Sequence, residues 1–244
     1  MDCQFNIKLM TNTLKSFFGL ILLSLFLFSC EKETSEENGL LPGSGGNAGG
    51  GGNNNAVCKS CSYIPWCSGS TYTYVDTSST GASTSSSSLT ILSDTTIAGV
   101  VYSKTSAGGN ISYHNCSNGV TTLIAYNASS TGGTTLNEAK TIMLKANEPL
   151  GTNWTSTINN NGTNLDYKFS IIAKSVPRTV LGVNYPDVIH VHLIVSTTVP
   201  VIGTVVGAEG DYYYARNVGL IENISYDGNG TMTLHRVLQS YQIP

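Results

Sequence analysis

The sequence predicts an all-β protein in which antiparallel, strongly curved sheets form two related units packed as one body. Three observations support this fold class. Short runs of β-branched or alternating residues recur along the chain, and clusters of Gly, Asn, Ser and Asp separate them. No window has a convincing helical period. Similar landmark residues also follow one another in the same order in both halves of the body.

The composition excludes several kinds of partner. Only 11% of the 244 residues are charged, against about 25% in an average globular domain. Twelve Lys and Arg residues and a net charge of -3 cannot supply the cationic surface that nucleic acids or anionic membranes require. We therefore expect no nucleic-acid partner.

The chain begins with the features of a secretory signal peptide. Lys8 and Lys15 precede an apolar run at residues 17–28. As a helix this run would span only about 18 Å, which is short of the roughly 30 Å hydrocarbon core of a bilayer. We therefore assign residues 1–29 to a signal peptide, with Met10 as an alternative start.

The end of this segment resembles a bacterial lipobox. Leu27 stands three positions before Cys30 and the small residue Ser29 directly precedes it, although Phe28 is bulkier than the usual residue there. The resemblance implies that Cys30 is the mature N-terminus and that its thiol carries a lipid. The alternative is an ordinary signal peptide followed by a chance cysteine.

Residues 30–56 have the composition of a disordered tether. Four Glu residues lie within residues 31–37, and residues 38–55 are mostly Gly and Asn. The acidic run resembles the surface-export signal of Bacteroidota-type lipoproteins, which implies an outer-membrane anchor with the protein facing the cell exterior. The alternative is a solvated charge run in the tether. We expect the folded body to begin near Val57.

An even number of cysteines in the body of an exported chain predicts disulfides. They are Cys58, Cys61, Cys67 and Cys116. We expect two bridges, with Cys116 tied back to the group formed by the other three, although four cysteines allow three pairings. A zinc site and a redox Cys-x-x-Cys motif are the alternatives.

Ten strands are predicted from the β-branched and alternating runs. They are residues 70–76, 88–92, 99–103, 110–114, 121–126, 141–145, 166–172, 188–196, 211–215 and 231–238. Residues 227–230, Asp-Gly-Asn-Gly, predict a hairpin turn because Asp-Gly and Asn-Gly tolerate positive φ angles. Residues 136–146 come nearest to a helical pattern, but Thr141 and Ile142 favour a strand.

Recurring landmarks indicate an internal duplication. Gly69 and Tyr72 correspond to Gly151 and Trp154, each pair being a Gly followed three residues later by an aromatic residue. The other matches are Gly99 with Gly182, Tyr113 with Tyr213, and Gly119 with Gly219. Chance alignment of common residues is the alternative.

These landmarks divide the body into two units. A disulfide-bearing β unit covers residues 57–135, and a second β unit covers residues 136–244. We expect residues 69–126 to superpose on residues 151–225, with the aromatic landmark buried in each unit.

The second unit also resembles a pattern found in bacterial lipoproteins of unknown function. It carries Trp154 and, near its end, residues 213–221, Tyr-Tyr-Ala-Arg-Asn-Val-Gly-Leu-Ile. The resemblance covers residues 141–238 and implies a strongly curved antiparallel sheet without implying an activity. Residues 58–74 and 239–244 are similar to Bacteroidota-type lipoproteins, also without an assigned function.

Two histidines are the main candidates for chemistry. On a strand, His190 and His192 share one face, which is an arrangement found among metal ligands, and His235 on a neighbouring strand could add a third. The carboxylate nearest to them in sequence is Asp187. The interpretation we favour is a polar sheet face with solvated or hydrogen-bonded histidines, so we assign no metal site.

Other enzyme signatures are missing from the body sequence. From residue 57 onward there is no Gly-x-Ser-x-Gly, Ser-x-x-Lys or His-Glu-x-x-His motif. Asp76 and Asp94 are the only acids in residues 56–137, and we interpret both as turn residues.

Aromatic residues are the remaining candidates for binding. They are Trp66, Trp154, Tyr212, Tyr213 and Tyr214. On a strand, Tyr212 and Tyr214 share one face and Tyr213 takes the other, so we expect core and rim packing. Stacking on a sugar ring or a protein is the alternative.

Together these features predict a lipid-anchored outer-membrane protein, exposed to the exterior, that binds or scaffolds a protein or glycan without catalysis and without a cofactor. One alternative is a carrier that holds an apolar ligand inside a curved β-sheet. A second is a metal-dependent enzyme that uses His190 and His192.

Overall fold

The computed structural model describes residues 61–79, 84–127, 137–160 and 162–244. Over these ranges the chain is all-β and contains no helix. No helical segment in the described ranges therefore has the length and apolar character to span a bilayer. The predicted signal peptide, Cys30, the tether and Cys58 lie outside the described residues.

Twelve strands form the described body. They are β1 (Thr71–Ser78), β2 (Thr84–Ile97), β3 (Val100–Ala107), β4 (Asn110–Ser117), β5 (Val120–Asn127), β6 (Asn137–Lys145), β7 (Asn153–Asn160), β8 (Thr163–Val180), β9 (Val183–Val199), β10 (Gly203–Ala215), β11 (Gly219–Asp227) and β12 (Met232–Gln242).

All twelve strands belong to one antiparallel sheet with the order β6-β5-β4-β3-β2-β1-β12-β11-β10-β9-β8-β7. Apart from β6 and β7, each strand pairs with its neighbours in sequence, and the first strand pairs with the last. The sheet therefore curls until β6 and β7 lie side by side, and it is nearly closed. The all-β, antiparallel, curved prediction is confirmed. Both predicted units contribute strands to this one continuous sheet. That the two units are related stays a prediction.

Each of the ten predicted strands overlaps an observed strand, including β6, where the sequence came nearest to a helical pattern. Three of them, at residues 70–76, 99–103 and 231–238, begin one residue before the observed strand. The prediction missed β7 and β11. The predicted turn after β11 is present: the amide of Gly230 donates to the carbonyl of Asp227 at 2.9 Å, and the Asp227 carboxylate accepts from the amides of Asn229 and Thr231.

Two clusters of buried side chains form the core. The first includes Leu144, Ile171, Ile189 and Val191, none of which has any exposed surface. The second cluster gathers residues of β1, β2 and β8 to β12 around the fully buried Ile221. Because side chains alternate along a strand, this burial fixes which residues face outward.

Side chains hold the seam between β6 and β7. The indole Nε1 of Trp154 in β7 donates to the carbonyl of Ile142 in β6 at 2.8 Å, and the amide of Ile142 donates to Oγ of Ser156 at 3.1 Å. Trp154 also stacks on Phe169 of β8, with ring centroids 5.4 Å apart. Trp154 therefore connects β6 to β7, the two strands at the ends of the strand order.

A cysteine-bearing segment before β1 packs on the sheet. Cys61 is disulfide-bonded to Cys116 of β4, with the Cα atoms 5.9 Å apart. Cys67 is also disulfide-bonded. The predicted link from Cys116 back to the cysteine-rich segment is thus confirmed. A hydrogen bond of 3.2 Å from the Tyr72 hydroxyl to the carbonyl of Pro65 also holds this segment against β1.

Candidate functional site

The two candidate histidines lie on the convex face of the sheet. Ile189, Val191 and Leu193 of β9 point into the first buried cluster, so His190 and His192 take the opposite face, as predicted. Their side chains keep 17% and 26% of their surface exposed. They are therefore accessible but constrained by their neighbours.

Both histidines bind Asp211 on the adjacent strand β10. Nε2 of His190 lies 2.8 Å from Oδ1 of Asp211, and Nδ1 of His192 lies 3.0 Å from the same oxygen. Nε2 of His192 lies 3.6 Å from a carboxylate oxygen of Glu209. The expectation that Asp187 is the nearby carboxylate is wrong, because Asp187 accepts hydrogen bonds from Tyr63 and Arg216.

His235 does not join this pair. Its Nε2 lies 2.8 Å from a carboxylate oxygen of Glu222 on β11. In the described part of the chain, no three His, Cys, Asp or Glu side chains are arranged to hold a metal ion. The idea of His235 as a third ligand is therefore wrong for this structure.

The histidine pair and His235 are the ends of a longer chain of contacts. The rings of His190 and Tyr213 stack with centroids 4.1 Å apart, and the guanidinium carbon of Arg178 lies 3.4 Å from the centroid of the Tyr213 ring. Arg178 also forms an ion pair with Glu222. We call the residues of this chain of contacts the polar strip: Arg178, His190, His192, Glu209, Asp211, Tyr213, Glu222 and His235.

Two carboxylates of the polar strip, Asp211 and Glu222, have a lowered pKa. Burial raises the pKa of Asp211, but hydrogen bonds from His190 and His192 outweigh it and lower the pKa below its ordinary value. Burial likewise raises the pKa of Glu222, and Arg178 and His235 more than offset it, so the net shift is also downward. Their neighbours thus stabilise the ionised form of both carboxylates.

The described partners of His190 and His192 are carboxylates and the ring of Tyr213, and no Ser, Thr or Cys side chain is among them. The aromatic run divides as predicted: Tyr212 and Tyr214 are buried, while Tyr213 lies on the strip.

A second polar group lies on the concave face, and sequence reasoning missed it. Arg236 of β12 donates two hydrogen bonds of 2.7 Å to the carboxylate of Asp76, and its guanidinium lies over the ring of Tyr74. Asp76 is therefore a β1 residue in a buried ion pair, and Asp94 lies within β2, so the assignment of both to turns is wrong. The β1–β12 pairing supplies the cation that a buried Asp76 needs, because Arg236 stands opposite Asp76.

The register of β9 and β10 is what assembles the strip. His192 stands opposite Asp211 and His190 stands opposite Tyr213. Counting back from the turn at residues 200–202 would place Gly210 opposite His192, and a register shift between Val206 and Ala208 brings Asp211 there instead. The turn also lacks an Asn-Gly or Asp-Gly signal.

Known proteins resemble this chain only distantly. No protein-family model matches it, and a search of curated proteins finds no match. A predicted lipoprotein from Parabacteroides distasonis has a TM-score of 0.48 and 17% identity, over 74% of this chain and 98% of its own. A predicted exported protein with a YmcC-like fold from Bacteroides fragilis has a TM-score of 0.47 and 11% identity, over 74% of this chain and 99% of its own.

Proposed function

We propose that this chain is a lipid-anchored protein of the outer membrane that faces the cell exterior and binds a protein or glycan on its convex face, without catalysis. The lipobox-like residues that end at Cys30 support the anchor. The acidic run at residues 31–37 supports the exterior location.

The filled interior is the observation that carries the binding mode. Ile171, Ile189 and Val191 have no exposed surface, and their side chains occupy the space that a carried ligand would need. The cleft that Trp66 and His114 line beside the disulfide has room for about one water-sized molecule. Recognition by the convex face therefore has more support than transport of an apolar ligand.

The polar strip is the part of the convex face best suited to recognition. Its contacts hold charged and aromatic groups in fixed positions, and Glu209 and His235 keep 42% and 37% of their side-chain surface exposed. Pre-ordered groups of this kind lose little conformational entropy when a partner binds.

Protease treatment of intact cells that produce the full chain tests the location. We expect added protease to degrade the protein while a periplasmic control protein survives. Protection of the chain until the outer membrane is permeabilised would contradict an exterior location.

Native mass spectrometry of the intact chain purified from the envelope separates the binding mode from transport. We expect the mass of the lipidated polypeptide alone after mild removal of detergent. A stoichiometric apolar molecule that remains bound and is released only on unfolding would favour the carrier.

A further inference from the structure

We infer that residues 181–183, the tip of the β8–β9 hairpin, insert into the bilayer that holds the proposed lipid anchor at Cys30. The inference rests on that anchor and adds a second, apolar contact between the protein and the membrane. Leu181 and Val183 keep 61% and 53% of their surface exposed. Two large apolar side chains at one projecting tip form a small surface that an apolar partner would cover.

The backbone conformation of the turn disfavours a leucine at position 181. Leu181 and Gly182 have φ angles of 47° and 80°, so both lie in the left-handed region. Asn, Asp and Gly are the usual residues at the first of these positions, and the β4–β5 turn follows this rule with Asn118, whose φ is 51°. Leu181 is therefore disfavoured both by its conformation and by its contact with water. Residues held in such conformations are concentrated at functional positions.

The tip projects beyond the strands on both sides of the hairpin. The strand pairing of β7 with β8 ends at Ser170, and that of β10 with β9 ends at Val188. Strands β8 and β9 continue to pair with each other as far as Val180 and Val183. The buried side chains of Val180 and Tyr185 pack in the second core cluster and fix the hairpin there. The hairpin therefore presents its tip in a defined position.

The N-terminal part of the chain enters the described body beside this hairpin. The Tyr63 hydroxyl donates to the carboxylate of Asp187 in β9 at 2.7 Å. Along an extended strand, the tip residue Val183 lies only about 13 Å from Asp187. As a random coil, residues 31–60 would span about 30 Å. The tip is therefore within reach of a bilayer that holds Cys30.

The antiparallel order distinguishes the two ends of the sheet. The β2–β3 and β6–β7 connections lie at the same end as the β8–β9 tip, and they expose Val100 and Leu150. The β9–β10 turn also exposes Val201 and Ile202, but it lies at the opposite end, away from Tyr63. The point at which the chain enters the body therefore favours the β8–β9 tip as the membrane contact.

The chemistry of the tip suits acyl chains rather than charged headgroups. Residues 179–186 include no charged residue. Contact with a membrane surface draws on buried apolar area and on attraction between cations and anionic lipids, and only the first is present at this tip. Because the lipid anchor makes insertion an intramolecular event, a small apolar area is sufficient.

Tryptophan fluorescence of the mature lipidated chain in phosphatidylcholine vesicles tests the inference. Leu181→Trp and Val201→Trp place the same probe at two exposed turns, one at each end of the sheet, and the unaltered chain gives the background from Trp66 and Trp154. Brominated acyl chains quench indoles that reach the hydrocarbon boundary. We expect bromination to lower the added emission of Leu181→Trp at least about twofold and to leave that of Val201→Trp unchanged.

Flotation of the same vesicles separates this inference from the anchor. The unaltered chain should float with the vesicles because of its lipid. Failure to float would overturn the proposed anchor and the inference together. Flotation without quenching at position 181, or with equal or stronger quenching at position 201, would overturn the inference alone.

Methyl NMR signals of the unaltered chain in phosphatidylcholine nanodiscs give a second readout that does not depend on the folding of any variant. A phospholipid that carries a nitroxide on its acyl chain should broaden the methyl signals of Leu181 and Val183 and leave those of Val201 and Ile202 unchanged. Broadening at Val201 and Ile202 alone, or at neither pair, would contradict insertion of the β8–β9 tip.

Discussion

At the scale of single residues, burial decides the charge of His114. Its side chain packs edge-on against Trp66 with ring centroids 3.8 Å apart, and its Nε2 lies 3.0 Å from Oγ of Ser112. Nδ1 is buried without a hydrogen-bond partner among the described residues. Burial lowers the pKa of His114 to about 3, so the imidazole is neutral in the folded protein at neutral pH.

The His114 pKa predicts how stability depends on pH. An unfolded histidine takes up a proton near pH 6.5, whereas folded His114 does so only near pH 3, so acid favours the unfolded state between these values. This contribution to the free energy of unfolding is present above about pH 6.5 and falls by up to about 1.4 kcal/mol per pH unit as the pH decreases toward 3. We expect His114→Gln, which cannot titrate, to reduce the change in unfolding free energy with pH, measured by urea unfolding at pH 7, 5.5 and 4. A variant that loses stability with the unaltered slope would contradict the assignment.

The histidine pair shows what the sequence can predict at this scale. Alternation along a strand predicted that His190 and His192 share one outward face. The burial of the intervening Val191 confirms this prediction. Their partner Asp211 could not be predicted, because it depends on the register between β9 and β10 and not on distance along the chain.

At the scale of elements, the β6–β7 seam depends on Trp154. Trp154→Phe keeps an aromatic ring on Phe169 but removes the donor to the Ile142 carbonyl, so we expect a loss of about 1 kcal/mol in unfolding free energy. Hydrogen exchange at the amide of Ile142 should accelerate.

Tyr72→Phe is the matched control for the seam. It also removes one side-chain hydrogen bond to a backbone carbonyl, that of Pro65, but it lies in β1 far along the strand order from β6. We expect a similar loss of stability with no change in exchange at Ile142. Equal exchange rates at Ile142 in the two variants would show that Trp154 does not hold β6 against β7.

The bond between Cys61 and Cys116 links the segment before β1 to β4 across 55 residues. Closing a loop of this length stabilises the fold by about 4 kcal/mol in the chain-entropy model. We expect the double variant Cys61→Ser, Cys116→Ser to lose stability of that order, and non-reducing mass spectrometry of the unaltered chain to find a peptide pair joined through these cysteines. Free thiols or stoichiometric zinc at these cysteines in protein taken from the cell envelope would contradict the bridge.

Strands with strong β-branched runs were predictable, and two others were not. β7 has the sequence Asn-Trp-Thr-Ser-Thr-Ile-Asn-Asn, whose polar residues resemble a loop, and it becomes a strand by pairing with β8. β11 was not predicted because the strong sequence pattern in this region indicated only the turn that follows the strand. Tertiary pairing overrides local propensity in both cases.

Two pairs of landmarks of the predicted duplication share local features. Tyr72 and Trp154 are the second residues of β1 and β7, and both are buried as predicted. Gly69 donates to the carbonyl of Ile91 at 2.8 Å, and Gly151 donates in the same way to Ile171 at 2.9 Å. Superposition of the two halves remains a prediction, which a Cα alignment of residues 69–126 with 151–225 in an experimental structure would test.

At the scale of the whole molecule, curvature turns a simple succession of hairpins into a nearly closed sheet. Strands that are consecutive in the chain pair with one another apart from β6 and β7, and the first strand, β1, pairs with the last, β12. The core is filled mainly by apolar side chains and also contains polar groups such as Asn223 and the ion pair of Asp76 with Arg236. Function is therefore proposed on the convex face and at the predicted membrane anchor. Alternation predicted the curved antiparallel class, but closure could not be predicted because it depends on the partner of the first strand.

Metabolic labelling with palmitate tests the anchor most directly. We expect the unaltered chain to incorporate label and Cys30→Ala to accumulate as unlabelled precursor, because the cysteine thiol is the attachment point. Cys3→Ala, which changes a cysteine within the predicted signal peptide, should incorporate label as the unaltered chain does. Label in the Cys30→Ala variant at the level of the unaltered chain would contradict a lipid-anchored protein.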